Sequence, residues 1–144
     1  TAADFHAFHP GGKLGARLAR VRDLMHGASE LPLVTLDAPM SDTLLTITGA
    51  GFGVVGVVDE DGGLAGIVTD GDLRRHMSGL LDHRAGEVMT PRPRTIRPDA
   101  LAAEALAHMN AGKITCLFVV DEEDAARRPL GILHIHDCLR AGVA

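Results

Sequence analysis

Two stretches of sequence decide the predicted fold: Gly66-Ile-Val-Thr-Asp-Gly-Asp72 and Gly131-Ile-Leu-His-Ile-His-Asp137, which start 65 residues apart in a chain of 144. Each opens with a glycine and apolar residues, as a strand does, and closes with an aspartate suited to the first turn of a helix. Two other segments recur in the same order: 21–25 resembles 85–89, and 57–59 matches 119–121. Motifs repeated in one order predict an internal duplication, with one supersecondary unit in each half.

Both halves show the same order of hydrophobic patterns, which predicts a β-α-β-β-α unit. An extended piece at 33–36 or 94–96 leads through a proline into an amphipathic helix that ends at a glycine. Two nearly continuous apolar strands and a second helix follow. These elements are predicted at 53–58, 64–69 and 71–77 in the first half and at 116–120, 130–134 and 136–142 in the second. The predicted apolar helix faces contain Leu44, Leu45 and Ile47, and then Leu101, Ala105, Leu106 and Met109.

The size of each unit indicates how the two halves pack. A unit of roughly 60 residues buries only about 60% of its unfolded surface and is marginally stable alone. We therefore expect an α/β (α+β) protein in which the two sheets pack together around a pseudo-twofold axis. Two related clefts would lie along that interface, where ligands commonly bind. The change of offset between the strands of the second hairpin predicts an inserted loop at 124–129.

The composition disfavours several classes of function. The formal net charge is -5 and no basic tract occurs, so we expect no nucleic-acid partner and no membrane binding. Tyr and Trp are absent, which disfavours stacking platforms for single strands or sugar rings. No apolar run is long enough to span a bilayer and no signal-peptide pattern occurs, which predicts a cytoplasmic location. The two isolated cysteines are predicted to be core thiols.

The first candidate site is the junction of strand and helix at Thr69, Asp70, Gly71 and Asp72. Unpaired backbone N–H groups at a helix start favour phosphate, and the Thr69 hydroxyl adds a donor. The Asp72 carboxylate is suited instead to accept hydrogen bonds from the two hydroxyls of a ribose. This combination fits a nucleotide better than an inorganic anion. The structural alternative is that Asp70 caps the helix and Asp72 favours its positive end.

The second candidate site is the equivalent junction in the other half, where Asp137 takes the place of Asp72. His134 replaces Thr69, and His136 follows two residues later. A histidine here is suited to bind an anionic group or a sugar, and the alternative is an ordinary surface residue. No metal is predicted, because a third and a fourth ligand are not evident.

A glycine-rich loop, His9-Pro-Gly-Gly-Lys-Leu-Gly15, precedes both repeats. Its spacing fits neither glycine-rich nucleotide fingerprint. His9 is suited to general acid–base chemistry if a segment outside this chain completes a pocket, and the alternative is a linker histidine. The chain starts without Met inside an alanine-rich stretch, so we expect it to be part of a longer protein. Arg92, Arg94 and Arg97 either line a cleft or solvate an edge strand.

With these motifs in view, the sequence from about 20 to 144 resembles a tandem cystathionine β-synthase (CBS) domain pair, also called a Bateman module. The repeated pattern G-[IV]-[VL]-[TH]-x-x-D and the duplicated order of elements carry the resemblance. It implies that the hydroxyl residue of the motif contacts ligand phosphate and that the aspartate contacts ribose, which points to Thr69, Asp72 and Asp137. His134 departs from the hydroxyl pattern.

A narrower resemblance is to the C-terminal part of bacterial arabinose 5-phosphate isomerases. It rests on the loop at 9–15 and on the motifs at 21–26, 69–75 and 131–137. It implies a parent enzyme that interconverts ribulose 5-phosphate and arabinose 5-phosphate on the route to Kdo, the acidic sugar of lipopolysaccharide. It also implies that His9 belongs to the active site of an N-terminal sugar isomerase (SIS) domain. The present chain is expected to be non-catalytic alone.

The resemblance also divides the chain and suggests a ligand. Residues 1–20 are expected to be a linker from the SIS domain, 21–80 the first CBS domain and 81–144 the second. The activated end product of the pathway, CMP-Kdo, combines a ribose, a phosphate and a carboxylate-bearing sugar, so it is the expected regulatory ligand, with no required cofactor. AMP or ATP is the alternative. A homodimer of CBS pairs within a larger homo-oligomer is expected, and a purely structural module with empty clefts is the alternative function.

Overall fold

The structure is a computed structural model that describes residues 13–143. No helix among these residues has the length and apolar character needed to cross a bilayer. Single 3-10 turns lie at Ala28–Glu30 and Leu80–Asp82. The first half contains α1 (Lys13–Leu18), α2 (Val21–Leu24), β1 (Leu33–Thr35), α3 (Met40–Ala50), β2 (Val54–Val58), β3 (Leu64–Thr69), α4 (Asp70–Arg75), α5 (Ala85–Val88) and β4 (Thr90–Pro91). The second half contains β5 (Thr95–Ile96), α6 (Ala102–Gly112), β6 (Cys116–Val120), β7 (Pro129–His134) and α7 (Ile135–Arg140).

The predicted β-α-β-β-α order is confirmed in both halves, as β1-α3-β2-β3-α4 and β5-α6-β6-β7-α7. Two predicted members of the buried helix faces are wrong. Leu45 is 72% exposed, because it is turned by about 100° from the buried side of α3, and Leu101 is the N-cap of α6. The predicted glycine lies at the end of both helices: Gly51 is the C-cap of α3 in the left-handed region, and Gly112 is the last residue of α6, followed by the C-cap Lys113 with φ 54°.

The strands form two sheets with the orders β1-β2-β3-β4 and β5-β6-β7. In each sheet the first two strands are parallel and the hairpin strands are antiparallel. Ile67 of β3 pairs with Thr90 of β4, and the corresponding pair on the other sheet joins Ile132 of β7 to His26. Thr90 follows the first unit in sequence and pairs with the last hairpin strand of the first sheet, which it closes. His26 precedes the first unit, yet it pairs with the last hairpin strand of the second sheet and closes that sheet. The N-terminal segment therefore belongs spatially to the second half.

The motif glycines lie where these closing segments cross the strands. A Cβ on Gly131 would lie 2.6 Å from the Met25 sulfur and 2.7 Å from the His26 carbonyl oxygen. A Cβ on Gly66 would lie 2.7 Å from the Thr90 carbonyl oxygen. Real Cβ atoms do not approach other atoms so closely, since atoms in protein interiors are already in van der Waals contact. Backbone packing therefore explains why a glycine opens each repeated motif.

The hydrophobic core has three parts. Successive side chains along a strand point to opposite faces of its sheet, so they contribute alternately to two different parts of the core. Val55 and Val57 of β2 face α3 and α5, whereas Val54 faces the other sheet. Phe118 is 3% exposed at this interface, and burial of such a side chain contributes about 1.5–3 kcal/mol. A Cβ on Gly56 would lie 2.9 Å from the Phe118 ring, so the two sheets are in close contact. The predicted packing of sheet on sheet is confirmed.

The inserted loop of the second hairpin contacts the first hairpin. Asp124 accepts a hydrogen bond from the Ala126 N–H at 3.1 Å, which fixes the loop. The Arg127 carbonyl oxygen then accepts from the Leu64 N–H at 3.0 Å. A Cβ on Gly63 would overlap the Ala126 carbonyl oxygen. The insertion therefore adds a close backbone contact between the two units.

Candidate functional site

The first cluster consists of Thr69, Asp72, Arg75 and Thr90. The Asp72 side chain is 2% exposed. Its Oδ2 accepts hydrogen bonds from the Thr69 N–H at 2.8 Å and from the Thr69 hydroxyl at 3.1 Å. Its Oδ1 accepts from the Arg75 guanidinium and from the Thr90 hydroxyl, both at 2.5 Å. Each carboxylate oxygen thus has two donors, as a buried charge requires.

The local sequence explains how this carboxylate is buried at a helix start. Thr69 is the N-cap of α4 and Asp72 is the third residue beyond it, so the two form a capping box. Burial raises the pKa of Asp72, but hydrogen bonds from Thr90, Thr69 and Arg75 outweigh that effect, and the net pKa is lowered. Asp72 is therefore ionised at neutral pH.

The second cluster consists of His26, His134, Asp137 and Arg140. The Asp137 side chain is 6% exposed. Its Oδ2 accepts from the His134 N–H at 2.8 Å, and its Oδ1 accepts from the Arg140 guanidinium at 2.6 Å and lies 3.0 Å from His26 Nε2. The other ring nitrogen, His26 Nδ1, lies 3.0 Å from the Glu30 carboxylate. A second carboxylate therefore stands on the far side of the His26 ring.

His134 caps α7 as Thr69 caps α4. Its Nδ1 accepts a hydrogen bond from the His136 backbone N–H at 3.0 Å, so that nitrogen carries no proton and the ring is neutral. Burial and then the neighbouring cationic side chains lower the pKa of His134, although Asp137 raises it. The Nε2 of His134 is consequently an N–H donor.

The two clusters share an ion pair and differ in the groups around it. In both, an arginine three residues after the aspartate binds the aspartate side chain. Two hydroxyls complete the first cluster, whereas two imidazoles complete the second. The duplication has thus kept the aspartate–arginine ion pair and changed the groups around it. The equivalent residues are Thr69 and His134, Asp72 and Asp137, Arg75 and Arg140, and Thr90 and His26.

The other predicted site residues lie at the edge of the clusters or outside the described part of the chain. Asp70 is exposed, and Gly71 is half-buried beside the Arg75 guanidinium, where a Cβ would lie 3.3 Å from its nearest nitrogen. His136 is exposed, and its ring centroid lies 4.8 Å from that of His134. His9 lies outside the described residues, so its predicted catalytic role stays a prediction.

Four members of the clusters were not predicted as site residues: Arg75, Arg140, Thr90 and His26. The sequence indicates the two arginines, because they recur at the same offset of 65 residues as the aspartates. It also indicates that Thr90 and His26 are equivalent, since each follows the methionine that ends a repeated segment. The repeat does not reveal which sheet each of these segments joins, because that depends on tertiary packing. It therefore does not reveal which aspartate Thr90 or His26 contacts.

Both cysteines of the chain have thiols that are protonated at neutral pH. Burial raises the pKa of Cys116 and of Cys138 to about 11, so both thiols are protonated at neutral pH. Within residues 13–143, no group of three or more His, Cys, Asp or Glu is arranged to hold a metal ion. Arg97, one of the arginines predicted either to line a cleft or to solvate an edge strand, binds the Glu104 carboxylate at 2.9 and 3.1 Å.

Comparison with known proteins places this arrangement in a family, since residues 18–79 and 85–144 match the CBS domain. The chain belongs to the CBS domain family. The CBS pair is 48% identical to arabinose 5-phosphate isomerase KdsD of Pseudomonas aeruginosa and 44% identical to KdsD of Escherichia coli. Each alignment covers 99% of this chain and 44% of the relative, so the chain spans less than half the length of these proteins.

A solved structure shows the same fold as this CBS pair. The crystal structure of CBSX2 in complex with AMP has a TM-score of 0.73 and 26% sequence identity, and the match covers 86% of this chain and 96% of that one. The predicted resemblance to a tandem CBS pair and to the C-terminal part of arabinose 5-phosphate isomerase is confirmed.

Proposed function

We propose that this CBS pair is a regulatory module that binds a nucleotide at its two clusters. The observation that carries the proposal is the repeated ion pair between a buried aspartate and a largely exposed arginine. Asp72 and Asp137 are 2% and 6% exposed, whereas Arg75 and Arg140 are 63% and 69% exposed. The arginine can therefore turn toward a ligand, while the aspartate stays fixed by its helix.

A nucleotide carries the groups needed to separate this ion pair without leaving either side chain unsatisfied. Ribose hydroxyls can donate to the aspartate in place of the guanidinium, and a phosphate can accept from the arginine. Inorganic phosphate would satisfy only the arginine, and a sugar without phosphate would satisfy only the aspartate. Since a buried charge that loses its partner is destabilising, the clusters favour ligands with both groups.

The second cluster favours a ligand with an additional acidic group, and we infer that this ligand is CMP-Kdo. His134 presents an imidazole N–H where the first cluster has a hydroxyl, and His26 and Arg140 surround Asp137 with nitrogen donors. The carboxylate of Kdo gives such donors a further acceptor. The AMP-bound CBSX2 supports an adenine nucleotide as the alternative ligand, most directly at the first cluster, which keeps both hydroxyls.

The similarity to KdsD supports a parent enzyme with the same activity. In that protein an N-terminal SIS domain would interconvert ribulose 5-phosphate and arabinose 5-phosphate, with His9 at its active site and no catalytic role for the CBS pair. CMP-Kdo would then act as a feedback signal from the end of the pathway. A coupling of about 1–3 kcal/mol between the CBS pair and the SIS domain suffices for such control.

A structural role in assembly is the second candidate function. Met77, which follows α4, is 62% exposed, and Leu139 of α7 is 54% exposed. Apolar side chains beside the closing helices of both units would favour a homodimer of CBS pairs within a larger oligomer. In this alternative the two clusters stabilise their helices and bind no regulatory ligand.

Isothermal titration calorimetry tests the ligand proposal. The chain is titrated with CMP-Kdo, AMP, ATP, cytidine and inorganic phosphate, and with CMP-Kdo after His134→Thr. CMP-Kdo should bind most tightly, His134→Thr should weaken CMP-Kdo and strengthen AMP, and cytidine and phosphate should bind weakly. Tighter binding of ATP than of CMP-Kdo would reverse the ligand assignment. Absence of binding by all three nucleotides would leave the assembly role.

A further inference from the structure

The His26 ring contacts carboxylates at both of its nitrogens. Nδ1 lies 3.0 Å from Glu30 Oε2, and Nε2 lies 3.0 Å from Asp137 Oδ1. An ionised carboxylate only accepts hydrogen bonds, so both ring nitrogens must be donors if both contacts are hydrogen bonds. An imidazole with two N–H groups is an imidazolium. The geometry thus requires a positively charged His26.

This ring stands at the junction of the N-terminal segment with the second sheet. The His26 N–H donates to the Ile132 carbonyl oxygen at 2.9 Å, and the Ile132 N–H donates to the His26 carbonyl oxygen at 3.0 Å. The ring edge packs against Phe52 with a centroid distance of 5.1 Å. Backbone and side chain of one residue therefore attach the segment that includes α1 and α2 to β7 and α7.

We propose that His26 is a protonated clamp that fastens its own position in the N-terminal segment to Asp137 of the second cluster and that loosens the pairing of residue 26 with β7 when it loses a proton. The equivalent residue of the first sheet is Thr90, whose hydroxyl binds Asp72 and does not titrate in the accessible pH range. The two sheets are therefore closed by equivalent segments, of which only the one joined through His26 contains a closing group that changes its charge near neutral pH. This device acts on the chain that enters the CBS pair, and it operates without a bound nucleotide.

The groups that face His26 from the surrounding elements fix the direction of the response. Glu30 on the 3-10 turn and Asp137 on α7 are the anions in contact with the ring. Arg140 on α7 is a cation bound to the same Asp137 oxygen, and His134 at the end of β7 is a neutral neighbour. Partial burial lowers the pKa of His26, but the hydrogen bonds and charges of Asp137 and Glu30 outweigh it, and the net pKa is raised. The clamp is therefore fully formed below the ordinary histidine pKa of 6.5 and is lost as the pH rises through the higher value of the folded protein.

Nitrogen-detected NMR of the wild-type chain tests the charge state directly. His26 should keep protons on both ring nitrogens to a higher pH than an unperturbed histidine, whose pKa is about 6.5. Glu30→Gln, a substitution at an exposed side chain, should lower the pH at which the second proton leaves. A His26 ring with one proton at about pH 6.5 would overturn the proposal.

Amide hydrogen exchange tests the loosening of this pairing. After correction for the intrinsic rate, protection of the Ile132 amide should fall about three- to tenfold between about pH 6.5 and pH 9, as expected for loss of a charge-assisted hydrogen bond in a partly exposed site. The Ile67 amide of the first sheet is the matched control and should keep its protection. In His26→Thr, which copies the first cluster, the step at Ile132 should vanish. Equal behaviour of Ile132 and Ile67 in the wild type would contradict the clamp.

Discussion

The crossing of the N-terminal segment over β7 makes Gly131→Ala the sharpest test of the packing. The new methyl group would lie 2.6 Å from the Met25 sulfur and 2.7 Å from the His26 carbonyl oxygen. The methionine side chain can rotate away. The carbonyl oxygen cannot, because it accepts a hydrogen bond from the Ile132 N–H at 3.0 Å. Relief therefore requires the segment to move off the strand and to stretch this bond.

The cost follows from two effects of known size. Overpacking of a well-packed core costs about 1–3 kcal/mol, and weakening of a backbone hydrogen bond adds about 0.5–1.5 kcal/mol. We expect Gly131→Ala to lower the free energy of unfolding by about 2–4 kcal/mol. In a chain of this size the melting temperature would fall by roughly 5–15 °C. Urea denaturation followed by circular dichroism measures the free energy, and thermal unfolding measures the melting temperature.

Gly49→Ala is the matched control, because it adds the same methyl group without a contact. Gly49 lies in α3, and apart from its chain neighbours and the backbone of its own helix no atom lies within 4 Å of the position of its Cβ. Alanine in a helix is more stable than glycine by about 0.5–1 kcal/mol, so this variant should be slightly more stable than the wild type. If Gly131→Ala unfolded at the same urea concentration as the wild type, the account of the motif glycine would be refuted.

Three further predictions concern other parts of the structure. Asp72→Asn should lower the unfolding free energy at neutral pH by about 1–3 kcal/mol, and acid should destabilise this variant less than the wild type. In the wild type, the contribution of Asp72 to stability is present above the ordinary pKa of 3.8 and is lost as the pH falls through the lowered pKa of the folded protein. Equal acid dependence of the two proteins in urea denaturation would contradict this prediction. Gly63→Ala should cost more than about 3 kcal/mol, since its methyl group would overlap the Ala126 carbonyl oxygen, and an unchanged melting temperature would refute the contact. Cys116 and Cys138, with pKa values of about 11, should react with a disulfide reagent at about pH 8 at least tenfold more slowly than free cysteine, and a rate equal to that of free cysteine would contradict their burial.

The repeats made the order of elements predictable. Offsets that recur between the halves align equivalent strands and helices, and strongly apolar runs such as 116–120 identify the central strands. Side-chain facing within a helix was less predictable, because Leu44 and Leu45 are both apolar and the phase of the buried face depends on packing. In the structure, helix α3 is oriented so that Leu44 packs against the core and Leu45 is 72% exposed.

The composition of the candidate site was only half predictable. The aspartates and their capping partners are local in sequence, so the motif at each junction indicates them. His26 reaches Asp137 across 111 residues, and Thr90 reaches Asp72 across 18. Sequence equivalence shows that these two residues correspond to each other. It does not show that Thr90 closes the first sheet, which precedes it in sequence, or that His26 closes the second sheet, which is distant in sequence. Which sheet each residue joins depends on the packing of both units.

A heteronuclear NMR titration with CMP-Kdo is the most direct measurement of whether the two aspartate-centred clusters are nucleotide sites. Chemical-shift changes should concentrate at 134–137, at His26 and, with AMP, at 69–72, and Asp137→Asn should remove the response to CMP-Kdo at the second cluster. If neither compound shifted these amides at about millimolar concentration, where even weak ligands with Kd near 1 mM bind measurably, the clusters would be helix caps and the nucleotide-binding account would be wrong.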